Sequence, residues 1–160
     1  MRSPKPSWVF SATHRLDRKL QMSVDRSALT TIEGLQAALH IAPFHRWLGL
    51  DLVSASPAGI VIAMPWRDDL VSNPAIGAAH GGVLASLIDL GGLYAVLAAG
   101  GLAQATADLR VDYHRPALAG RILARSRVVK IGKRLSVADT TVESEAGDLL
   151  ASGRGAYLGA

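Results

Sequence analysis

The chain of 160 residues lacks cysteine altogether and is poor in aromatic and charged residues. Without cysteine, a disulfide framework, a thiolate zinc site and a cysteine nucleophile are excluded. Aromatic residues make up only 5% of the chain, too few for a platform on which nucleic-acid bases stack. Charged residues make up 19% and hydrophobic residues 49%, a balance that excludes a disordered chain. One domain with an aliphatic core is therefore expected.

The motifs of several common enzyme classes are also missing. No serine lies in the G-x-S-x-G turn of α/β-hydrolases, and no lysine follows a glycine-rich loop of the P-loop type. His40 and His45 lack the H-E-x-x-H spacing of zinc proteases, and no other pair of histidines suggests a metal site. We therefore expect no metal and no cofactor.

The net charge of +4 is concentrated at the N-terminal end. Up to Leu20 the chain has five basic residues and one acidic residue, whereas the remaining chain has twelve of each. The high isoelectric point therefore belongs to a tail and does not indicate a partner nucleic acid. This segment lacks the apolar run of a signal peptide, so a cytoplasmic location is expected. We expect residues 1–30 to form a flexible extension, with a natural start at Met22 as the alternative, and 31–160 to form the domain.

A second charge asymmetry lies within the domain. Eight basic residues and one acidic residue fall between Arg110 and Arg134, and an acidic stretch follows. Two neighbouring strands of opposite sign would simply pair across a sheet. The alternative is a basic surface that attracts a polyanionic ligand.

Hydrophobic periodicity and turn residues predict the order of the secondary structure. Thr31 caps a short helix over 32–41, and Pro43 ends it or forces a turn. A hairpin of two strands and a long loop over 67–79 precede a long helix over 80–104. A meander of four strands completes the chain. The predicted strands cover 48–54, 59–66, 105–113, 121–131, 135–143 and 149–158.

The long helix is apolar on all sides, and its only charge is Asp89. Such a helix is buried, and an antiparallel sheet wrapped around it would bury it. The open side of this arrangement needs a partner, which suggests a dimer. The segment is nearly long enough to span a membrane, but it is rich in glycine, and its central acid costs roughly 3 kcal/mol on insertion. We therefore expect no membrane span.

Two features of this helix carry chemistry. A carboxylate in an apolar helix is costly unless it is paired, hydrogen-bonded or beside water, so Asp89 is either a satisfied structural acid or a catalytic base. His80, Gly81 and Gly82 open the helix, where free N–H groups could hold a carbonyl oxygen that becomes negative during a reaction. The alternative is a plain helix start whose glycines allow tight packing.

Helix geometry constrains how these two features cooperate. Gly81 and Asp89 are eight residues apart, which is roughly 12 Å along a helix axis, so one small carbonyl cannot touch both. Two antiparallel helices related by a two-fold axis would bring Gly81 of one chain near Asp89 of the other. The site would then be shared between two subunits.

The sequence resembles the hotdog-fold acyl-CoA thioesterases of the PaaI-like (phenylacetate-pathway) family. The resemblance covers roughly residues 42–158 and rests on Asn73-Pro74, His80-Gly81-Gly82, Asp89, the segment 105–116 and Gly132-Lys133-Arg134-Leu135. It implies an α+β hotdog fold, an antiparallel sheet wrapped around a long central helix. It also implies a homodimer or a tetramer that is a dimer of dimers.

The resemblance assigns roles to individual residues. Asp89 would act as general base or nucleophile, and the Gly81 N–H would polarise the thioester carbonyl. His80 and Asn73 would help to place the thioester. The acyl group would contact Phe44, Leu90, Leu93 and Tyr94. The CoA phosphates would contact Arg115, Gly132, Lys133 and Arg134, and Gly82 is a further expected substrate contact.

The predicted function is hydrolysis of an acyl- or aryl-CoA to the free acid and CoA, with the acyl chain left open. Leu93 stands where some relatives have a hydroxyl that holds the water. This departure motivates an alternative, a non-catalytic module that binds acyl-CoA. A less favoured alternative is an enoyl-thioester hydratase or dehydratase, because His80 and Asp89 could converge across a dimer.

Overall fold

The computed structural model describes residues 28–159. Its helices and strands follow one another in the predicted order, with additions in two places. The elements are α1 (Ile32–Leu39), α2 (Pro43–Leu48), β1 (Asp51–Ser56), β2 (Gly59–Met64), β3 (Val71–Asn73), β4 (Ala78–Ala79), α3 (Gly81–Ala98), β5 (Ala105–Tyr113), β6 (Ile122–Lys130), β7 (Leu135–Ser144) and β8 (Leu149–Leu158).

Six strands form one antiparallel sheet around α3, which confirms the predicted α+β architecture. The strand order is β1-β2-β6-β7-β8-β5, so β1 and β5 are the two edges. Helix α3 packs against β2, β5, β6, β7 and β8. By length and composition α3 could cross a membrane, but 56% of it is buried inside this fold. It is the core helix that its apolar sequence predicts.

The predicted start of the domain is close to the first described residue. Ala28–Thr30 form a 3-10 turn, and Leu29 packs against the core, so the last residues of the predicted extension belong to the folded part. Residues 1–27 lie outside the described residues. Thr31 caps α1 as predicted, because its hydroxyl accepts the N–H of Gly34 at 3.1 Å.

Three local predictions were incomplete or wrong. A turn over 40–42 does precede Pro43, but Pro43 begins a helix, α2, that was not predicted, because proline at the first helical position loses no hydrogen bond. The loop predicted over 67–79 contains a 3-10 turn at Asp68–Leu70 and the small sheet of β3 and β4. The long helix ends at Ala98 rather than near 104, and Gly100 follows with a positive φ of 76°.

The predicted pairing of oppositely charged strands is confirmed on the outer face of the sheet. Arg125 on β6 bonds Glu143 on β7 at 2.9 Å, and Arg154 on β8 bonds Asp139 on β7 at 2.6 Å. The hydrogen bond from Arg154 lowers the pKa of the Asp139 carboxyl below its usual range. Since these pairs are exposed, they add little stability, but they match β6, β7 and β8 in charge.

Two adjacent glycines allow α3 to approach the sheet closely. A Cβ at Gly91 would lie 2.5 Å from the Ser126 hydroxyl, and a Cβ at Gly92 would overlap the hydroxyl of Tyr157. The Tyr157 hydroxyl donates to the backbone carbonyl of Asp89 at 3.0 Å, and its side chain is fully buried. This contact holds the middle of α3 against β8.

Replacing Gly92 by alanine tests this close approach. The added methyl must displace a buried ring, and overpacking of this kind costs about 1–3 kcal/mol. Urea unfolding of Gly92→Ala should show a free energy of unfolding lowered by that amount. In a Tyr157→Phe background, which lacks the nearest clashing atom, the same substitution should cost less. Equal stability of Gly92→Ala and the wild type would contradict the packing.

Candidate functional site

The N-terminal end of α3, here called the helix mouth (His80, Gly81 and Gly82), leaves one amide free. His80 is the N-cap, and its Nδ1 accepts the N–H of Gly82 at 2.8 Å. The carbonyl of His80 accepts the N–H of Val83 at 2.9 Å. Within residues 28–159, the N–H of Gly81 has no hydrogen-bond partner. An unpaired amide beside the positive end of a helix is suited to a developing oxyanion.

Tyr113, the last residue of β5, closes one side of the helix mouth. Its hydroxyl donates to the Gly81 carbonyl at 3.1 Å. Its ring atoms lie 3.2–3.4 Å from the position of a Cβ at Gly81. The ring is 56% exposed, so it lies at the surface beside Gly81 rather than in the core.

Asp89, in the middle of α3, is half-buried and makes no ion pair in the part of the chain that the structure describes. The hydroxyl of Thr106 on β5 donates to Asp89 Oδ1 at 2.5 Å. A single charge-assisted hydrogen bond of this kind orients a carboxylate without neutralising it. The second oxygen, Oδ2, has no partner among residues 28–159 and can therefore accept a proton.

The helix mouth and Asp89 lie at opposite ends of β5. The mouth contacts Tyr113, whereas Asp89 contacts Thr106, and these two residues are seven positions apart on one strand. On α3 itself, Gly81 and Asp89 are eight residues apart, which is roughly 12 Å along the helix axis. Within one chain, the free amide and the carboxylate therefore cannot act on the same thioester.

The strand that carries both contacts is a free edge of the sheet. At the opposite edge, the side chain of Gln36 on α1 accepts the N–H of Leu52 at 2.6 Å and so covers part of β1. No described residue pairs with the outer side of β5, which is nine residues long. An uncovered edge of this length is a template for another strand.

Comparisons with known proteins identify the family of the chain. Residues 76–151 match the family model described as thioesterase superfamily. The chain is 33% identical over 131 residues to the medium/long-chain acyl-CoA thioesterase YigI of Salmonella typhimurium, covering 72% of this chain and 84% of that protein. The chain belongs to the thioesterase superfamily. The hotdog fold and the thioester-hydrolase class predicted above are thereby confirmed.

Two solved structures place this thioesterase within the superfamily by shape. One, described as a protein of the thioesterase superfamily, is 41% identical with a TM-score of 0.76, covering 82% of this chain and 98% of its own. The other is the Escherichia coli PaaI protein from the phenylacetic acid degradation operon, 27% identical with a TM-score of 0.69. That match covers 78% of this chain and 88% of PaaI.

Asn73 lies on the small sheet that leads to the helix mouth of this thioesterase. It ends β3, pairs with Ala78 on β4, and is exposed. Its Oδ1 accepts the N–H of Ala75 at 3.2 Å, so the side chain caps its own turn. The backbone of the same segment anchors the mouth, since the N–H of His80 donates to the Leu70 carbonyl at 2.7 Å.

The residues expected to contact the acyl group differ in exposure. Leu90 and Tyr94 are only 6% and 7% exposed in a single chain, and Leu93 is half-buried. Burial raises the pKa of Tyr94 to about 12, so its hydroxyl stays protonated at neutral pH. Phe44 is 48% exposed and stacks on Trp47, with ring centroids 5.9 Å apart.

The residues expected to contact the CoA phosphates fall into two groups. Gly132, Lys133 and Arg134 form the turn between β6 and β7, where a Cβ at Gly132 would overlap the Leu135 carbonyl. Arg115 follows β5 at the other end of the sheet and donates to the Leu149 carbonyl at 3.3 Å. A single chain does not bring the two groups together.

Thr106 and Tyr113 were not predicted as site residues. Both lie in the 105–116 segment on which the resemblance rests, and Thr106 follows the first residue of a predicted strand. Their partners on α3 are 17 and 32 residues away in the sequence, so no local pattern marks them. No group of three or more His, Asp or Glu residues within 28–159 is placed to hold a metal ion.

The Thr106 hydroxyl can be tested with an isosteric pair of substitutions. Thr106→Val removes the donor to Asp89, and since hydrogen bonds to charged groups are worth about 1.5–3 kcal/mol, we expect kcat to fall about 10- to 100-fold. Thr106→Ser keeps the hydroxyl and should retain most of the activity. Release of free thiol from an acyl-CoA measures both. A valine variant as fast as the wild type would show that the contact is not used.

Proposed function

We propose that the protein hydrolyses the thioester of an acyl- or aryl-CoA to the free acid and CoA. One observation carries the proposal: Asp89 is the only acid of the core helix, it has no cation partner within 28–159, and one of its oxygens is free. The relatives support the substrate class, since YigI is named as a medium/long-chain acyl-CoA thioesterase.

The chemistry divides between the carboxylate and the amide. As a general base, Asp89 takes a proton from a water molecule that attacks the thioester carbonyl; as a nucleophile, it attacks the carbonyl itself and water later hydrolyses the anhydride. In both routes the carbon–sulfur bond breaks. In the first route the proton held by Asp89 passes to the CoA sulfur; in the second CoA leaves as a thiolate, and hydrolysis of the anhydride later releases the balancing proton. The Gly81 N–H donates to the carbonyl oxygen as its charge develops.

The edge strand β5 suggests how two copies complete one site. In an antiparallel pair of β5 strands centred on Leu109, Tyr113 of one copy lies opposite Ala105 of the other. The helix mouth that contacts Tyr113 then faces Asp89 that contacts Thr106. The pair contains two equivalent sites, as a two-fold axis requires.

The same pairing would bring together basic residues that lie at opposite ends of the sheet in one chain. Because β5 runs from the end of the sheet near the β6–β7 turn to the end near Arg115, antiparallel copies bring Arg115 of one chain toward Lys133 and Arg134 of the other. Lys133 and Arg134 are exposed and make no ion pair in the described part of the chain. These three side chains would bind the CoA phosphates.

Nothing at the site favours the two alternative functions. A hydratase would use the ring of His80, but its Nδ1 already accepts a backbone amide and caps α3. A binding module without activity would not need an unpaired carboxylate, and the named relatives are thioesterases. Absorbance of an enoyl-thioester, followed alongside thiol release, separates the three functions.

Replacing Asp89 by asparagine tests the proposed chemistry. The variant keeps the size and the hydrogen bond from Thr106 but loses the proton acceptor, and a general base contributes about 10²–10⁴-fold. We therefore expect kcat for thiol release from acyl-CoA to fall by that factor, with CoA binding by calorimetry retained. Turnover by Asp89→Asn equal to the wild type would refute the proposal.

A complementation experiment tests the shared site. Gly81→Pro removes the free amide without breaking a hydrogen bond, since proline suits the first helical position and His80 has the extended backbone that precedes proline. The half-exposed Tyr113 ring, 3.2–3.4 Å from a Cβ at Gly81, must shift by a few tenths of an ångström to admit it. Each single variant should be inactive. A refolded equal mixture of Asp89→Asn and Gly81→Pro should recover about a quarter of wild-type activity, because half the dimers are mixed and one of their two sites is intact.

A site contained in one chain predicts no recovery in that mixture. Refolding either variant alone controls for spontaneous reactivation. Size-exclusion chromatography of both variants checks that each still assembles.

A further inference from the structure

Tyr113 contacts the candidate site without having any role in the chemistry proposed above. It is the last residue of the edge strand β5, and its hydroxyl donates to the Gly81 carbonyl at 3.1 Å across 32 positions of sequence. No other side chain in the described residues ties the carbonyl of Gly81 to the sheet.

Burial does not explain this contact. Tyr157 is fully buried, and a buried hydroxyl must find a partner. Tyr113 is 56% exposed in a single chain, so within that chain its hydroxyl could bond water at little cost. This hydrogen bond therefore adds little to the stability of the core, and its main effect is to hold the backbone at Gly81.

The backbone that it holds is flexible by composition. Gly81 and Gly82 are adjacent, and glycine restricts its own dihedral angles least. The peptide unit between them is held at both ends by side chains: Tyr113 bonds its carbonyl, and His80 Nδ1 accepts its N–H at 2.8 Å. The preceding peptide is held through its carbonyl by Val83. The free Gly81 N–H belongs to this preceding peptide, which is joined through the Gly81 Cα to the peptide that Tyr113 holds.

We infer that Tyr113 is a positioning residue for the Gly81 amide: its hydroxyl fixes the Gly81–Gly82 peptide so that the free N–H keeps one direction toward the thioester oxygen. Its ring, 3.2–3.4 Å from where a Cβ would sit, also favours glycine at position 81. This inference rests on the proposed function. An aligned donor stabilises the developing oxyanion more than the bound thioester, so Tyr113 acts on kcat.

The test is Tyr113→Phe, which removes the hydroxyl and keeps the ring. We expect kcat for thiol release to fall about five- to tenfold with KM changed less than twofold, as loss of one hydrogen bond that matters only in the transition state predicts. Tyr113→Leu, which removes the ring as well, should lower kcat further.

Ser86→Ala is the matched control. The Ser86 hydroxyl bonds the neighbouring carbonyl of Gly82 at 2.8 Å from within α3, so its loss removes a similar bond but leaves the tie to β5. We expect unchanged kcat. Proton–nitrogen spectra of the resting protein provide a readout without turnover: Tyr113→Phe should shift the Gly81 and Gly82 amide resonances, and Ser86→Ala should leave that of Gly81 in place.

Three results decide between the possibilities. A Tyr113→Phe protein with wild-type kcat, or with an unshifted Gly81 amide, overturns the inference. A loss of kcat matched by an equal loss in Ser86→Ala also overturns it, because general weakening of the helix start would then be the cause. Failure of the proposed function is distinguishable, since it would appear as full activity of Asp89→Asn whatever the Tyr113 variants do.

Discussion

The close contact between α3 and the sheet governs the geometry of this protein. Gly91 and Gly92 remove the side chains that would keep the helix away, and the buried hydroxyl of Tyr157 bonds the Asp89 carbonyl. Burial and then the charge of Asp89 raise the pKa of Tyr157, so its hydroxyl stays a donor at neutral pH. With the helix held at that residue, the Asp89 side chain is directed to Thr106 on the neighbouring edge strand.

The edge strand β5 connects every feature that the proposed chemistry uses. Thr106 near its start holds the carboxylate, and Tyr113 at its end holds the helix mouth. The strand thereby positions both groups, which lie eight residues and roughly 12 Å apart along α3 in one chain. A fold that separates its reactive groups along an uncovered edge is suited to a site completed by a second copy. Antiparallel pairing of the two edges would place the helix mouth of one copy beside Asp89 of the other.

The charged residues of the sheet fall into a paired group on its outer face and an unpaired group at its ends. The outer face of β6, β7 and β8 carries arginines that form ion pairs with Asp139 and Glu143, so these charges link neighbouring strands of the sheet. The unpaired cations of the turn between β6 and β7 lie at one end of the sheet, and Arg115 lies at the other. The buried polar residues of the described sheet are Ser126, Ser136 and Thr140, none of them charged, and Asp89 is the one acid of the core helix.

Local sequence determined the order of the longer elements, the cap at Thr31, the strands 105–113 and 149–158 and the burial of α3, because periodicity and capping act over a few residues. It also marked His80, Gly81 and Asp89 as candidate site residues. Only tertiary structure decided that Thr106 holds Asp89, that Tyr113 holds Gly81, and that Arg115 lies far from Lys133. Those contacts depend on strand register and on the rotation of α3, which packing sets between residues distant in sequence.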